Sequence, residues 1–327
     1  MAEVLAHVFR NGRIESIHRG DFAVATPAGD NVASVGNIEL STYMRSTAKP
    51  FQAMPLLESG AVKHFEFSVQ ELAVMMASHN GEAVHIIAVN SILAKAGLTT
   101  GDLRCGFHRP LAENAADAWL SSGQERSPVY NNCSGKHAGM LALAKFLETP
   151  LDTYLQPDHP VQQRILHKIS VLAGLAENEI GIGIDGCSAP VFYMPLRNMA
   201  TAYARLTDGK LPAAELAFKI MSANPEMVGG TGRFDTALMR ITGGRMVSKV
   251  GAEGVRCCGV RGKQPLGIAL KISDGGRRAS EVVLLEILSQ LSLLSENELH
   301  LLAAFHHPRI VNCAGIDVGE VRADFMV

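Results

Sequence analysis

The spacing of apolar residues changes twice along the chain, and this change limits the folds that the chain can adopt. Between residues 4 and 38, short alternating apolar runs are separated by turn sequences such as Asn11-Gly12, which is typical of hairpin strands. The centre of the chain instead places apolar residues at helical spacing, in segments 50–57, 69–76, 83–96, 136–147, 160–175 and 213–221. Strand-like runs then return, so two strand-rich ends bracket a helical centre.

The late strand-like runs predict how the two ends associate. They cover residues 180–185, 246–252 and 266–272, and a helical pattern at 281–294 and a hairpin pattern at 311–325 follow them. Pairing the terminal strands in one sheet is the economical arrangement. We therefore predict an α/β (α+β) fold in which an antiparallel sheet with covering helices lies beside a helical subdomain. Residues 1–327 form a single discontinuous unit, with residues 1–45 and 240–327 in the sheet layer and residues 46–239 in a mainly helical layer that contains a strand near 180–185.

Charge and composition exclude several classes of function. The chain has 327 residues, of which 47% are hydrophobic and 19% charged, and its formal net charge is −2. Such a chain has no broad positive field to hold nucleic acid or an anionic membrane surface. It begins without a signal-peptide pattern and has no apolar run long enough to span a membrane. Its six cysteines are few for its length, so we expect a cytoplasmic protein with thiols or metal ligands instead of disulfides.

The first candidate for catalysis is the pair Ser46 and Lys49, at the start of a predicted helix. Residues at i and i+3 share a helix face, so the Lys49 amine can reach the Ser46 hydroxyl if burial keeps that amine uncharged. The alternative is an N-cap serine beside a solvated lysine, which is the better interpretation of this motif alone. Ser78, in a polar break between two apolar helical runs, is a second candidate hydroxyl, although a capping role explains Ser78 alone better.

A second polar cluster suggests a metal site. Cys133, Lys136 and His137 fall within five residues at a predicted helix start, where free N–H groups favour a thiolate. Asp185 and Cys187 follow a predicted strand some fifty residues later. Two separated cysteines could converge on one zinc ion with an open position for water or substrate. From the spacing alone, two unrelated reduced thiols explain these residues better.

Three other motifs are interpreted as structural. Cys257 and Cys258 are neighbours on a strand-like run, so they point to opposite faces and are predicted to be packing residues. The pair His306 and His307, and the glycine-rich run at residues 229–233, are predicted to be loop structure because neither has the spacing of a metal site or a P-loop.

Together the motifs resemble the rhizobial-type, class 3 L-asparaginases, the thermolabile and constitutive asparaginase II group. The matching blocks are RSTAKP, MASHNGE, LRCGFHRPL, NNCSGKHAGML, DHPVQ, DGCSAP, PEMVGGTGR, SKVGAEG and FHHP, and they extend over nearly the whole chain. The resemblance implies a fold similar to glutaminases and serine β-lactamases. It also implies a homodimer that acts on L-asparagine.

The resemblance also assigns roles to individual residues. It implies two Ser-Lys tandems, which are Ser46 with Lys49 and Ser78 with Lys249. It implies zinc held by Cys133, Lys136, Cys187 and a water molecule, which requires Lys136 to lose its proton. Asp185 would orient the metal water or the substrate ammonium, and the polar pocket would be completed by Arg45, His137 and Arg233.

The implied reaction is hydrolysis of the asparagine side-chain amide. Lys49 would take the proton of Ser46, whose oxygen attacks the amide carbonyl, while Ser78 and Lys249 relay protons. One departure concerns Asp235, because some family members carry a cysteine there. A carboxylate at this position would add negative charge near the two lysines.

Two other functions fit part of the pattern. A β-lactamase-like serine acylase also begins its site with Ser-x-x-Lys, but the chain lacks Lys-Thr-Gly on a late strand and lacks Ser-Asp-Asn. A zinc-dependent amino-acid sensor would bind asparagine without turnover, and the pairing of two lysines with two serines argues against it.

Overall fold

The computed structural model describes residues 2–327. Its strands are β1 (Glu3–Arg10), β2 (Arg13–Ala25), β3 (Asn31–Val35), β4 (Ser41–Tyr43), β5 (Gly181–Ile184), β6 (Pro190–Pro195), β7 (Met246–Val250), β8 (Val255–Val260), β9 (Leu266–Ile272), β10 (Arg309–Val311) and β11 (Asp317–Ala323). Its helices are α1 (Lys49–Glu58), α2 (Ala61–His64), α3 (Val69–Met75), α4 (Ala83–Lys95), α5 (Glu113–Ser121), α6 (Ser134–Phe146), α7 (Pro160–Ala173), α8 (Leu196–Thr207), α9 (Pro212–Ala223), α10 (Pro225–Val228), α11 (Phe234–Ile241), α12 (Arg277–Gln290), α13 (Glu296–Leu301) and α14 (Ala303–His306). Short 3-10 helices occupy Arg45–Ala48, Thr100–Asp102, Pro128–Tyr130 and Glu177–Glu179.

The main sheet joins the two ends of the chain. Its strand order is β10-β11-β1-β2-β9-β8-β7, with β3 added beside the second half of the long strand β2, and every pair is antiparallel. The register sets Val8 opposite Val321 and Phe22 opposite Leu270. The predicted fold class, an antiparallel sheet with covering helices and a helical subdomain, is therefore confirmed. A separate small sheet has the order β4-β6-β5.

Two elements between residues 190 and 207 were not predicted from the sequence. They are β6, which carries the small sheet, and α8, which packs on the main sheet against β9, β2 and β8. The predicted late helix, α12, covers the opposite face through β1, β8, β9 and β11. The main sheet is thus enclosed by helices on both faces, and α8 lies between part of it and the helical subdomain.

Side-chain size differs between the two faces of the main sheet. Large side chains such as Phe22, Ile268 and Leu270 point toward α12 and form one core with it. Small ones, including Ala23 and Ala269, point toward α8 and join the core of the helical subdomain. This alternation is the two-residue period of strands. It also separates Cys257 from Cys258, since both are fully buried but belong to different cores, as predicted.

A glycine in β9 allows α8 to lie close to the sheet. A Cβ atom at Gly267 would clash with the backbone oxygen of Ala200 in α8. Gly267→Ala is therefore expected to destabilise the protein by about 3 kcal/mol, because the helix would have to move away from its packed position. Gly262→Ala is the matched control, since its nearest neighbour is 3.9 Å away. Urea unfolding measures both, and equal stability of the two variants would contradict this account.

Helix ends follow local signals. The segment predicted as helix at 160–175 is helical from Pro160, which fits at the first helical position, to Ala173. It ends there because Gly174 adopts a left-handed conformation with φ of 68°.

Candidate active site

Three segments from distant parts of the chain meet between the sheet and the helical subdomain. Lys49 opens α1, Ser78 follows the end of α3, and Lys249 lies on β7. Residues with odd numbers on β7 face the helical core, as Val247 does, so Lys249 points from the sheet toward Ser78. All three polar side chains are buried, with exposed fractions of 0%, 4% and 1% respectively.

The Ser78 hydroxyl lies between the two lysine amines. Lys249 Nζ is 2.8 Å and Lys49 Nζ is 3.1 Å from Ser78 Oγ. Lys49 also donates to the carbonyl oxygens of Ala77 at 2.6 Å and Asn132 at 3.1 Å, whereas Lys249 donates to one other oxygen, that of Val250, at 3.0 Å. The backbone N–H of Ser78 donates to the Val228 carbonyl, which fixes the hydroxyl in this position. The structure thus joins three of the four residues predicted for the Ser-Lys tandems into one hydrogen-bonded chain.

Ser46 is close in sequence to Lys49 but is not hydrogen-bonded to it in the described chain. It lies in the 3-10 helix Arg45–Ala48, one turn before α1, and its side chain is partly exposed. The predicted direct contact between the Lys49 amine and the Ser46 hydroxyl is therefore not made in this structure. The Lys49 amine is held instead by Ala77, Ser78 and Asn132.

Burial lowers the pKa values of both lysines. The pKa of Lys249 lies well below its usual value because of burial first and then the nearby charge of Lys49. The pKa of Lys49 is lowered mainly by burial, although the Cys133 thiolate opposes this change. It is therefore unfavourable for both amines to be protonated at the same time, because two like charges in a buried site repel each other.

The three residues predicted to bind metal also converge. Cys133 is the N-cap of α6, Lys136 lies in its first turn, and Cys187 lies in the turn between β5 and β6 of the small sheet. Lys136 Nζ is 3.0 Å from Cys187 Sγ, and all three side chains are buried. Gly135 makes this possible, because a Cβ atom there would clash with the Val74 carbonyl of α3.

The pKa values of the two thiols are shifted in opposite directions. A hydrogen bond from Cys187 lowers the pKa of Cys133 well below its usual value, helped by Lys49 and Lys136 despite burial. The same hydrogen bond, together with burial, raises the pKa of Cys187. Burial alone would lower the pKa of Lys136, but the two sulfurs and Asp185 raise it. Cys133 therefore ionises more readily than Cys187, whose sulfur accepts the hydrogen bond of Lys136.

Two sulfurs and one amine form a donor set that suits a soft, borderline cation such as zinc. Across residues 2–327, no group of three or more His, Cys, Asp or Glu side chains is arranged to hold a metal. The predicted set contains only two residues of those types, because its third member is a lysine. All six cysteines are free thiols.

Arg45 and Asp185 form an ion pair at the edge of this cluster. Arg45 Nε donates to Asp185 Oδ1 at 2.8 Å. Arg45 and the nearby Ser188 both have positive φ angles, 50° and 69°, in a region that costs non-glycine residues about 1–3 kcal/mol. Burial opposes ionisation of Asp185, but Lys136, the Gly186 N–H and Arg45 lower its pKa. The ion pair thus connects two strained turns, one on each side of the cluster.

The other two predicted pocket residues differ in position. His137 is fully buried, and its Nδ1 lies 2.6 Å from the Tyr154 hydroxyl. It therefore supports α6 from within the core and does not line an open pocket. Arg233 donates to Asn80 Oδ1 at 3.0 Å and lines a cleft of about 410 Å³. That cleft is also bordered by Leu111 and Thr231, and no residue of the buried polar cluster lines it.

Sequence reasoning missed several supporting residues. Asn132 holds Lys49 through its carbonyl and donates its N–H to His108. His79 contacts Ser134 Oγ at 2.9 Å and accepts from the Gly81 N–H, so it holds its loop to α6. Such contacts are made by residues far apart in sequence and leave no signal in local spacing. Burial opposes ionisation of Asp235, but Arg256 and then Lys249 lower its pKa, so the predicted negative charge near Lys249 is present.

Comparison with known proteins identifies the family of this chain. The family model described as L-asparaginase II matches residues 6–323. The chain belongs to the L-asparaginase II family. This is a family of amidohydrolase enzymes, and the match spans every residue of the buried polar cluster. No curated protein matches this L-asparaginase II family member significantly.

Solved structures resemble this L-asparaginase II family member in fold only. Mglu in its native form is 16% identical with a TM-score of 0.47, over 84% of this chain and 65% of the Mglu chain. A β-lactamase from Mycobacterium bovis is 13% identical with a TM-score of 0.41, over 88% and 95% of the two chains. A Bacillus glutaminase is 14% identical with a TM-score of 0.37, over 84% and 91%. The chain thus spans less than two thirds of Mglu. Among the described residues, no helix is both long and apolar enough to cross a membrane.

Proposed function

We propose that this protein hydrolyses L-asparagine to L-aspartate and ammonia through an acyl-enzyme on Ser46. The observation that carries the proposal is the Ser78 hydroxyl, which lies between the amines of Lys49 and Lys249 in a buried site. A buried amine with a lowered pKa is available as a base near neutral pH. Family membership makes an amide the expected substrate.

The two amines are proposed to share one proton through Ser78. When Lys249 holds the proton, Lys49 has a free electron pair and can act as a base; when Lys49 holds it, three oxygens stabilise the ammonium. Interacting groups of this kind titrate as a unit. Ser78 is therefore the relay, and its 4% exposed side chain is less accessible to substrate than the partly exposed Ser46.

In the proposed reaction, Ser46 Oγ attacks the side-chain carbonyl carbon of asparagine while its proton passes to Lys49. The tetrahedral intermediate collapses by breaking the C–N bond, and the same proton leaves with the amide nitrogen as ammonia. Water then attacks the ester and releases aspartate, with its proton returning to Ser46. Lys49 is not bonded to Ser46 in the free protein, and catalytic hydrogen bonds often tighten only when substrate is bound.

Zinc is proposed to bind Cys133, Lys136 and Cys187, whose donor atoms converge and suit it chemically. Bound zinc would supply a Lewis-acid template for the polar groups of the substrate. Asp185, Arg45 and Arg233 are proposed to orient the substrate's charged ends, since they lie at the edges of the cluster. His137 is proposed to support Lys136 from the core side of α6.

Zinc content provides a test that is independent of activity. Cys187→Ser is expected to weaken zinc binding more than about 10-fold, because the soft sulfur ligand is lost. Cys313→Ser, which alters an exposed cysteine, should retain zinc. Zinc affinity should also fall from pH 8 to pH 6, because Lys136 must lose its proton to coordinate. Metal analysis after dialysis measures these effects, and unchanged zinc in Cys187→Ser would reject the site.

Ammonia release distinguishes the proposed function from its alternatives. The purified protein should release ammonia from L-asparagine, and the same assay with glutamine and with a chelator measures selectivity and the zinc requirement. Rapid acylation by a penicillin without ammonia release would favour a β-lactamase-like acylase. Zinc and tight asparagine binding with zero turnover would favour a sensor.

We also propose that the protein is a cytoplasmic homodimer. Val84 and Ile87 on α4 and Leu120 on α5 have exposed fractions of 53%, 67% and 50%, which supports an apolar contact surface on these helices. Light scattering after gel filtration measures the mass in solution, and a monomer at micromolar concentration would reject the dimer.

A further inference from the structure

Asp235 lies behind Lys249 and contacts both of its sequence neighbours. The carboxylate is in the first turn of α11 and is only 3% exposed. It accepts hydrogen bonds from Ser248 Oγ at 2.7 Å and from the Val250 N–H at 2.9 Å. It also forms an ion pair with the fully buried Arg256.

These contacts occur at the free edge of the main sheet. β7 pairs with β8 on one side only, so the Val250 N–H has no strand partner and is bound by Asp235 instead. Ser248 and Val250 flank Lys249, whose side chain points to the opposite face of the strand. The carboxylate therefore holds the backbone on both sides of the lysine that contacts Ser78.

Arg256 balances the charge of this carboxylate. It lies opposite Val250 on β8, contacts Ser248 Oγ at 3.4 Å, pairs with Glu281 at 3.1 Å and lies over the Phe234 ring at 4.5 Å. Arg256 and Lys249 overcome the effect of burial and lower the pKa of Asp235 to about 2, so it is ionised at any working pH. The charged groups that act on Lys249 are Lys49, Asp235, Arg233 and Cys133.

We propose that Asp235 is a positioning residue, which clamps Lys249 against Ser78 and, balanced by Arg256, sets the charge that Lys249 carries. The inference rests on the proposed function, because it assigns a support to that same relay. Asp235 touches neither substrate nor reacting atoms in this assignment. Its two effects, mechanical and electrostatic, can be separated by substitution.

The electrostatic effect predicts opposite shifts from two substitutions. Asp235→Asn removes a negative charge near the relay, so both limbs of the kcat–pH profile should move to lower pH by about half a unit or more. Arg256→Met removes a positive charge and should move both limbs to higher pH. A purely structural role would reduce activity in both variants without shifting their kcat–pH profiles in opposite directions. Profiles that stay in place, or that shift in the same direction in both variants, would overturn the proposal.

The mechanical effect predicts a loss in kcat. Asp235→Asn is expected to lower kcat about 10- to 100-fold with less than about a threefold change in KM, because a misplaced relay slows the chemical step more than binding. Ser248→Ala removes one contact of the clamp and no charge, so it should lower kcat without moving the limbs. This milder variant is the fallback if Arg256→Met does not fold. Full activity of Ser248→Ala, together with an unshifted kcat–pH profile of Asp235→Asn, would reject the proposal.

A control and an independent readout complete the experiment. Asp317→Asn breaks the ion pair with Arg309 on β10, at the opposite edge of the main sheet from β7, and should leave kcat and its pH profile unchanged. If the wild-type protein hydrolyses no amide, the proposed function fails, but nitrogen-15 NMR of Lys249 still reports its titration. Opposite shifts of that titration in Asp235→Asn and Arg256→Met would support the clamp even then, and no shift in either would overturn it.

Discussion

Ser46→Ala should abolish ammonia release from L-asparagine, lowering kcat by about 10³-fold or more, as expected when a catalytic nucleophile is removed. The hydroxyl oxygen that forms the acyl bond is absent in this variant, so no acyl-enzyme can form. Zinc content should be unchanged, because Ser46 is not among the proposed ligands. Coupled ammonia assays and metal analysis measure the two properties on the same sample.

Two further variants make this result specific. Ser59→Ala alters a partly buried serine at the end of α1 and should keep full activity. Ser78→Ala should be slow, but a substrate adduct should still be found on Ser46 by mass spectrometry after acid quenching. An adduct on Ser78, together with turnover by Ser46→Ala, would reverse the assignment of the two serines.

Lys249→Met should have opposite effects on activity and stability. The variant loses one end of the proton relay, so kcat should fall by about 10²- to 10⁴-fold, the range for a group in proton transfer. It also removes a fully buried amine whose pKa is lowered well below its usual value by burial and by Lys49. Replacing such a group by a methionine of similar shape should raise the melting temperature near neutral pH.

The pH dependence of that stability difference has a definite sign. In the folded protein Lys249 gives up its proton more readily than in the unfolded chain, so the unfolded state binds more protons between the folded pKa and the ordinary value of 10.5. The buried amine therefore lowers the free energy of unfolding of the wild type, and this loss becomes smaller as pH rises, by at most about 1.4 kcal/mol per pH unit. The stability advantage of Lys249→Met should therefore decrease from pH 7 to pH 10. Urea unfolding at several pH values measures it, and a constant or growing advantage would contradict a neutral buried amine.

Part of the fold could be predicted from the sequence because it depends on local spacing. The strand-rich ends, the helices near residues 50–57, 83–96 and 160–175, and the late helix all follow from apolar period and from turn or cap residues. The opposite orientation of Cys257 and Cys258 follows from the strand period in the same way. Neither β6 nor α8 was predicted, and α8 owes its position to the small residues of the facing strands, which allow close packing.

The candidate site, like the fold, could be predicted only in part from the sequence. Sequence motifs were sufficient to select Ser46, Lys49, Ser78, Lys249 and the Cys133, Lys136 and Cys187 set, because residue types and family motifs are properties of the chain itself. Which amine faces which hydroxyl was decided by tertiary structure: Lys49 contacts Ser78, 29 residues away, and not Ser46. The contacts of Asp235 with Ser248 and Val250, and that of Lys136 with Cys187, were decided there too. Hydrogen bonds and pKa values depend on distances and burial, which arise only when separate segments pack together.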